Sequence, residues 1–192
     1  MSSVLAIDTS SRGRVVCVAI DGDRVSSRVV EDEAVTLSLP RMLRELRPPD
    51  LSAVVVVTGP GSYTGLRAGM AAAAGLAHAL SVPLHGAGTL DIVAAGWDGD
   101  GNATAAVDAG RGGVYEAPLT RAARSIVVAP PRRIPLVQLQ RVTGDVVSTD
   151  ALDVPRLVRV DAAIALARAV PHALARRPLP LDRLVATYLD MH

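Results

Sequence analysis

Between Ala53 and Leu80 the chain passes from four consecutive valines, through a turn with glycines at 59, 61 and 65, into a segment made almost wholly of alanine and glycine. Few folds accommodate that succession. The run Val54 to Val57 is β-branched, apolar and too short for a helix, which predicts a strand covered on both faces, as in an α/β sheet. Gly59, Pro60 and Gly61 end it. Ser62 and Thr64 are N-cap residue types, so a helix is predicted from near Gly65 until Ser81 and Pro83 stop it. Glycine costs a helix interior about 1 kcal/mol relative to alanine, so Gly65, Gly69 and Gly75 in one helix imply close packing that offsets the loss. Packing on the chain's own sheet satisfies this, and so does packing against another subunit.

The same turn invites two chemical readings. Backbone N–H groups at a glycine-rich turn before a helix favour an anion, but a P-loop needs G-x-x-x-x-G-K-[ST]. All twenty basic residues are arginine, which removes P-loop phosphotransfer and lysine catalysis together. A serine nucleophile at Ser62 lacks the G-x-S-x-G spacing. His78 lies three to four turns further along the same helix, at about 3.6 residues per turn, out of reach of Ser62. Ser62 and Thr64 are therefore read as helix caps, and Gly59, Gly61 and Gly65 as parts of a structural turn.

Strands are predicted at 3–8, 14–20, 24–30, 53–58 and 84–87, with helices at 34–47 and 64–80. Val35, Leu39, Leu43 and Leu46 make one apolar stripe in the first helix, and Pro40 either kinks it or marks its start. The DGDGN run from Asp98 to Asn102 is the predicted boundary between an N-terminal lobe, 1–100, and a smaller C-terminal lobe, 101–192. It is not a calcium loop, because Ala109 stands where the closing glutamate belongs. Strands follow at 103–108, 114–119 and 125–129, then a helix over 161–169 capped by Asp161. The last helix is a candidate to pack back on the first lobe. No internal repeat is visible.

A hydrophobic content of 49% is ample for a core. With three Tyr, one Trp, no Phe and a net charge of +1, the chain lacks both the aromatic platforms and the basic excess of an autonomous RNA binder. Cys17, the only cysteine, lies in an apolar strand and reads as a core residue. Arg67 and His78 interrupt the apolar helix short of the roughly 20 residues a bilayer crossing needs, and no signal-type segment opens the chain. A cytoplasmic location is the expectation.

Four segments carry a resemblance. Gly59 to Gly69, GPGSYTGLRAG, is similar to the GPGSFTGLRIG signature of the TsaB (YeaZ) family. Leu5 to Ser10, LAIDTS, matches that family's opening strand, and Ala105 to Tyr115, AAVDAGRGGVY, resembles its AxxDARxGEVY segment. Tyr188-Leu189 stands where the family has YLR. There are departures. Alignment on Pro40 places Ala34 where the family often has a histidine, Gly110 and Gly113 replace its Arg and Glu, and Asp190 replaces the terminal Arg, with Ala186 near an expected Pro.

The resemblance implies an actin-like, Hsp70-like ATPase superfamily fold with ribonuclease H-like lobes. It further implies a non-catalytic subunit that supports a TsaD-type transferase in threonylcarbamoylation of the tRNA adenosine beside the anticodon. A TsaE-type ATPase assists, tRNA is met only through the complex, the lone chain is a homodimer, and no cofactor or metal is assigned. The helices at 34–47 and 64–80 would form the partner face, with Leu39, Leu43, Leu66, Arg67, Met70 and Ala74 as contacts. Arg67, a cation in the first helical turn, calls for a carboxylate partner. In the fold superfamily, the place of Asp8, Thr9 and Ser10 holds magnesium and phosphate, with Asp108 as the partner carboxylate. That leaves open a nucleotide-dependent transferase or hydrolase, whereas strand-end capping is the structural reading of both aspartates. A peptidase finds no assembled nucleophile, base and oxyanion site in this sequence.

Overall fold

The computed structural model describes residues 3–123, 125–181 and 184–187. Three antiparallel strands open the chain: β1 (Ser3–Asp8), β2 (Arg14–Asp21) and β3 (Arg24–Glu31). Then come α1 (Val35–Leu46), β4 (Leu51–Gly59), α2 (Tyr63–Leu80), β5 (Leu84–Gly88) and α3 (Thr89–Gly96). The first sheet has the order β3-β2-β1-β4-β5, with β4 parallel to β1 and β5 parallel to β4. Every residue of β1 is buried, as the apolar run in a central parallel strand requires.

The second sheet repeats this plan. It is built from β6 (Gly101–Gly110), β7 (Gly113–Ala122), β8 (Ser125–Val128), β10 (Asp145–Ser148) and β11 (Leu157–Arg159), with β9 (Arg132–Pro135) pairing β7 and α4 (Leu136–Leu139) before β10. Its order, β8-β7-β6-β10-β11, is that of the first sheet with each strand replaced by its counterpart. The repeat was invisible in the sequence because the second copy is abbreviated. Where α2 joins β4 to β5, the connection from β10 to β11 is a bare segment, Thr149–Arg156.

The helices that end the two halves are exchanged. Helix α3 buries Leu90, Val93, Ala94 and Trp97 with Ala103, Ala105 and Val107 of β6. The last described helix, α5 (Ala162–Leu174), buries Ala165, Leu166, Ala169, Val170 and Ala173 in the core of the first sheet. The two helices also pack on each other. Asp161 caps α5 as predicted, its Oδ1 accepting from Ile164 N–H at 2.9 Å.

Helix α1 starts at Val35, so Pro40 lies inside it. The carbonyl of Thr36, which loses its helical donor there, belongs to an exposed residue. The buried stripe is Ser38, Leu39 and Met42, with Val35, Leu43 and Leu46 only partly buried. Five elements went unpredicted: α3, β9, α4, β10 and β11. The first is apolar nearly all round and has no side-chain N-cap, so it carries no helical periodicity; the other four are three or four residues long.

Cys17 is fully buried. Burial, with the Asp8 carboxylate nearby, pushes its thiol up to about 12, so almost no thiolate exists at neutral pH. Alkylation at pH 8 is expected to be negligible in the folded chain and rapid once it is unfolded in guanidinium. Stoichiometric labelling of the native protein, read by mass spectrometry, would contradict this environment.

Candidate functional site

The glycines of the 59–69 turn are accounted for by what lies against them. At Gly61 a Cβ would sit 2.5 Å from the Ser10 carbonyl oxygen; at Gly65 and Gly69 it would overlap the Thr9 carbonyl oxygen and the Thr9 hydroxyl. The loop after β1 is thus pressed onto the first two turns of α2. Thr9 Oγ1 donates to the Gly65 carbonyl at 2.7 Å, and Ser62 N–H donates to the Ser10 carbonyl at 2.7 Å. Ser62 caps α2, its hydroxyl accepting from Gly65 N–H, while Thr64 lies within the helix, which starts at Tyr63. Gly59, at φ +111°, is crossed by the backbone of Thr187, whose N–H donates to the Thr58 carbonyl at 2.7 Å. The turn receives the chain's own backbone on two sides.

Helix α2 has two unlike faces. Leu66, Met70, Ala73 and Ala77 are buried with Leu39 and Met42 of α1. This corrects the expectation that Leu39, Leu66 and Met70 are partner contacts: all three are at most 5% exposed and are spent on the lobe's own core. Leu43 and Ala74 are half-buried, and Arg67 is exposed. The outward face carries Arg67, Ala71, Gly75 and His78, spaced by four, four and three residues and so aligned along one side. Among the described residues a side chain at Gly75 would meet nothing within 4 Å, so no packing described inside the lobe calls for that glycine. Among the described residues Arg67 finds no carboxylate. Its guanidinium lies 5.2 Å from the centre of the Tyr63 ring and donates to the Tyr63 hydroxyl, which is a cation–π arrangement.

The two predicted aspartates occupy equivalent places in the two lobes. Asp8 Oδ1 accepts from Ser10 N–H at 2.8 Å, and Asp108 Oδ1 from Gly110 N–H at 2.9 Å. Each therefore caps the turn at its own strand end. Among the described residues no group of three or more His, Cys, Asp or Glu is placed to hold a metal ion. Sequence reasoning missed the residues that join the two ends, Arg14 and Asp150, which form an ion pair at 2.9 Å. One lies early in β2 and the other just beyond β10, and no local motif marks either.

Burial holds the Asp8 carboxyl above its usual 3.8, against the opposing pull of Ser10 and Arg14. A carboxyl raised on folding contributes fully when protonated, and that contribution is lost as pH climbs past the unfolded value of about 4. Asp8→Asn, which keeps an acceptor for Ser10, is expected to raise the melting temperature at pH 7 and to bring less benefit at pH 3.5. An equal shift at both values would contradict the assignment.

Residues 33–131, just over half of the chain, match the family model described as TsaD: tRNA N6-adenosine threonylcarbamoyltransferase. An uncharacterized protein of Mycobacterium tuberculosis (strain ATCC 25618 / H37Rv) is 40% identical over 124 residues, 60% of this chain and 58% of the relative. The tRNA threonylcarbamoyladenosine biosynthesis protein TsaB of Bacillus subtilis (strain 168) is 44% identical over 72 residues, 37% of this chain and 31% of that protein. The chain spans about half the length, or less, of the curated relatives it matches. The crystal structure of YeaZ from Pseudomonas aeruginosa has a TM-score of 0.79 at 23% identity, over 98% of this chain and 100% of that one, which establishes the shared fold. Two copies of one five-strand plan, the second abbreviated, make the actin-like fold, and the loop after β1 is seated on the glycines of GPGSYTGLRAG. On the family model, the TsaB-named relative and that fold together, the chain belongs to the TsaB (YeaZ) family, within the wider TsaD-like group.

Proposed function

We propose that this chain is a non-catalytic partner subunit that supports a TsaD-type transferase in threonylcarbamoylation of the tRNA adenosine next to the anticodon. In this reading it works in the cytoplasm with the assistance of a TsaE-type ATPase, meets tRNA only through the complex, and pairs with itself when its partner is absent. The observation that carries the proposal is the outward face of α2. Gly65 and Gly69 are explained inside the lobe, whereas Gly75, in the middle of an exposed helical face, is not. An unexplained helix glycine costs about 1 kcal/mol, and a second backbone approaching Ala71 and Gly75 gives it a use. Arg67 lies on that face, Ala74 and Leu43 border it, and Leu37 of α1 is 66% exposed. Asp8 and Asp108 are engaged in their own turns, which fits a subunit that supplies surface rather than chemistry. Among the described residues no helix is long and apolar enough to cross a membrane.

Light-scattering chromatography of the chain alone, and mixed with the TsaD-type protein of the same cell, tests the proposal. A dimer that exchanges into a one-to-one heterodimer is the expected result. A monomer that ignores the TsaD-type protein would overturn it. Magnesium-dependent ATP binding at one site per chain, lost in Asp108→Ala with the fold intact, would favour the enzyme reading instead.

A further inference from the structure

We propose that Arg14 and Asp150 form a latch that holds the two lobes closed across the cleft between them, with the packed pair α3 and α5 as the hinge. Arg14 rises from β2 of the first sheet and meets the segment that follows β10 of the second. Its Nη1 donates to the Thr149 carbonyl at 2.8 Å, and its Nη2 to Thr149 Oγ1 and to Asp150 Oδ1, each at 2.9 Å. Ser11, also from the first lobe, accepts from Arg14 at 2.7 Å and donates to Asp150 Oδ1 at 3.2 Å. The other carboxylate oxygen, Asp150 Oδ2, accepts from Asp108 N–H at 2.9 Å. Asp150 is thereby bonded to both lobes at once.

Three features separate this cluster from an ordinary surface ion pair. The side chains of Arg14 and Asp150 are only 10% and 14% exposed, so solvent screens them little. The guanidinium engages three acceptor groups across the gap, a planar recognition that lysine cannot reproduce. The cluster also borders a cavity of 580 Å³ lined by both lobes, including Arg12, Asp32, Leu136 and Arg159. Space remains there for the lobes to move once the bonds are released. Arg12 of the first lobe lies against Gly110 of the second, where a Cβ would overlap its guanidinium. The lobes are joined elsewhere by α3 and α5, which each pack on the other lobe's sheet. Two attachments of this kind, one a helix pair and the other a small polar cluster, make a hinge and a catch.

The inference does not depend on the partner proposed above. Its test is amide hydrogen exchange of the full chain, read at Asp108 N–H and at core amides of β1 and β4. In Arg14→Ala the Asp108 amide, whose acceptor Asp150 loses its anchor in the first lobe, is expected to exchange about tenfold faster or more while the core amides stay protected. Small-angle scattering of the same variant should give a larger radius of gyration. Because Arg14→Ala leaves a buried carboxylate without its cation, the pair Arg14→Leu with Asp150→Asn removes both charges and keeps the fold measurable. It should show the same larger radius of gyration, with core amides as protected as in the native chain. An unchanged radius of gyration in Arg14→Ala would overturn the latch. So would core amides accelerating in step with Asp108, or an unchanged radius of gyration in the double variant.

Discussion

Gly65→Ala is expected to be among the most damaging single-methyl additions in this chain, lowering the melting temperature by about 10 °C or more. Alanine is the better helix former by about 1 kcal/mol, so propensity alone predicts the opposite sign. The position decides against it: the new Cβ would overlap the Thr9 carbonyl oxygen, a backbone atom of the loop that follows the buried strand β1. Relief requires moving that loop, which is tied to α2 by the Thr9 hydroxyl and by Ser62 N–H. Overpacking of this kind costs about 3 kcal/mol or more, equivalent to about 10 °C for a domain of this size. Gly75→Ala is the matched control on the same helix. Among the described residues its Cβ would meet nothing within 4 Å, so the isolated chain should gain about 0.5 to 1 kcal/mol. Thermal unfolding of both variants checks the pair, and equal effects would contradict the close approach at Thr9.

Two arginine substitutions at adjacent positions of α2 should fail in different ways. Met70 is 5% exposed and packed in the core of the first lobe, so Met70→Arg buries an unpaired charge at a cost of about 4 kcal/mol or more. The expected result is loss of folded protein, seen as loss of the cooperative unfolding transition. Ala71 is the next residue, about 100° around the helix, and it is exposed. Ala71→Arg should leave the melting temperature within about 2 °C while weakening pairing by about a hundredfold or more, equivalent to about 3 kcal/mol. Circular dichroism and light scattering separate the two outcomes. Native-affinity pairing by Ala71→Arg would remove the outward face of α2 from the interface.

The candidate face was half legible in the sequence. Periodicity located α1, and cap and breaker residues bounded α2, but an apolar residue on a helix reads the same whether its own core or a partner covers it. Leu39, Leu66 and Met70 were assigned to a partner on that ambiguity, and burial within the lobe resolved it. Arg67 shows a similar limit. Its helix position calls for a negative partner, yet Tyr63, one turn earlier, supplies an aromatic face and a hydroxyl acceptor instead. The expectations for Tyr188, Leu189 and Asp190 fall outside the described residues, while Ala186 packs partly buried against the first core.

By itself the sequence determined most of the first lobe, though not α3: β-branched runs, 3.6-residue periodicity and cap and breaker residues are local signals, and they located β1 to β5, α1 and α2 to within about two residues. It also marked the 59–69 turn as a place of close packing, because glycine in a helix is costly wherever it occurs. Only the tertiary structure decided what the glycines admit, since Thr9 and Ser10 lie far from them in the chain. It alone revealed that the second sheet repeats the first, because strands of three or four residues carry too little pattern to be read. Arg14 and Asp150, 136 residues apart, meet only because the two copies face each other across a cleft. No local rule of sequence encodes that distance.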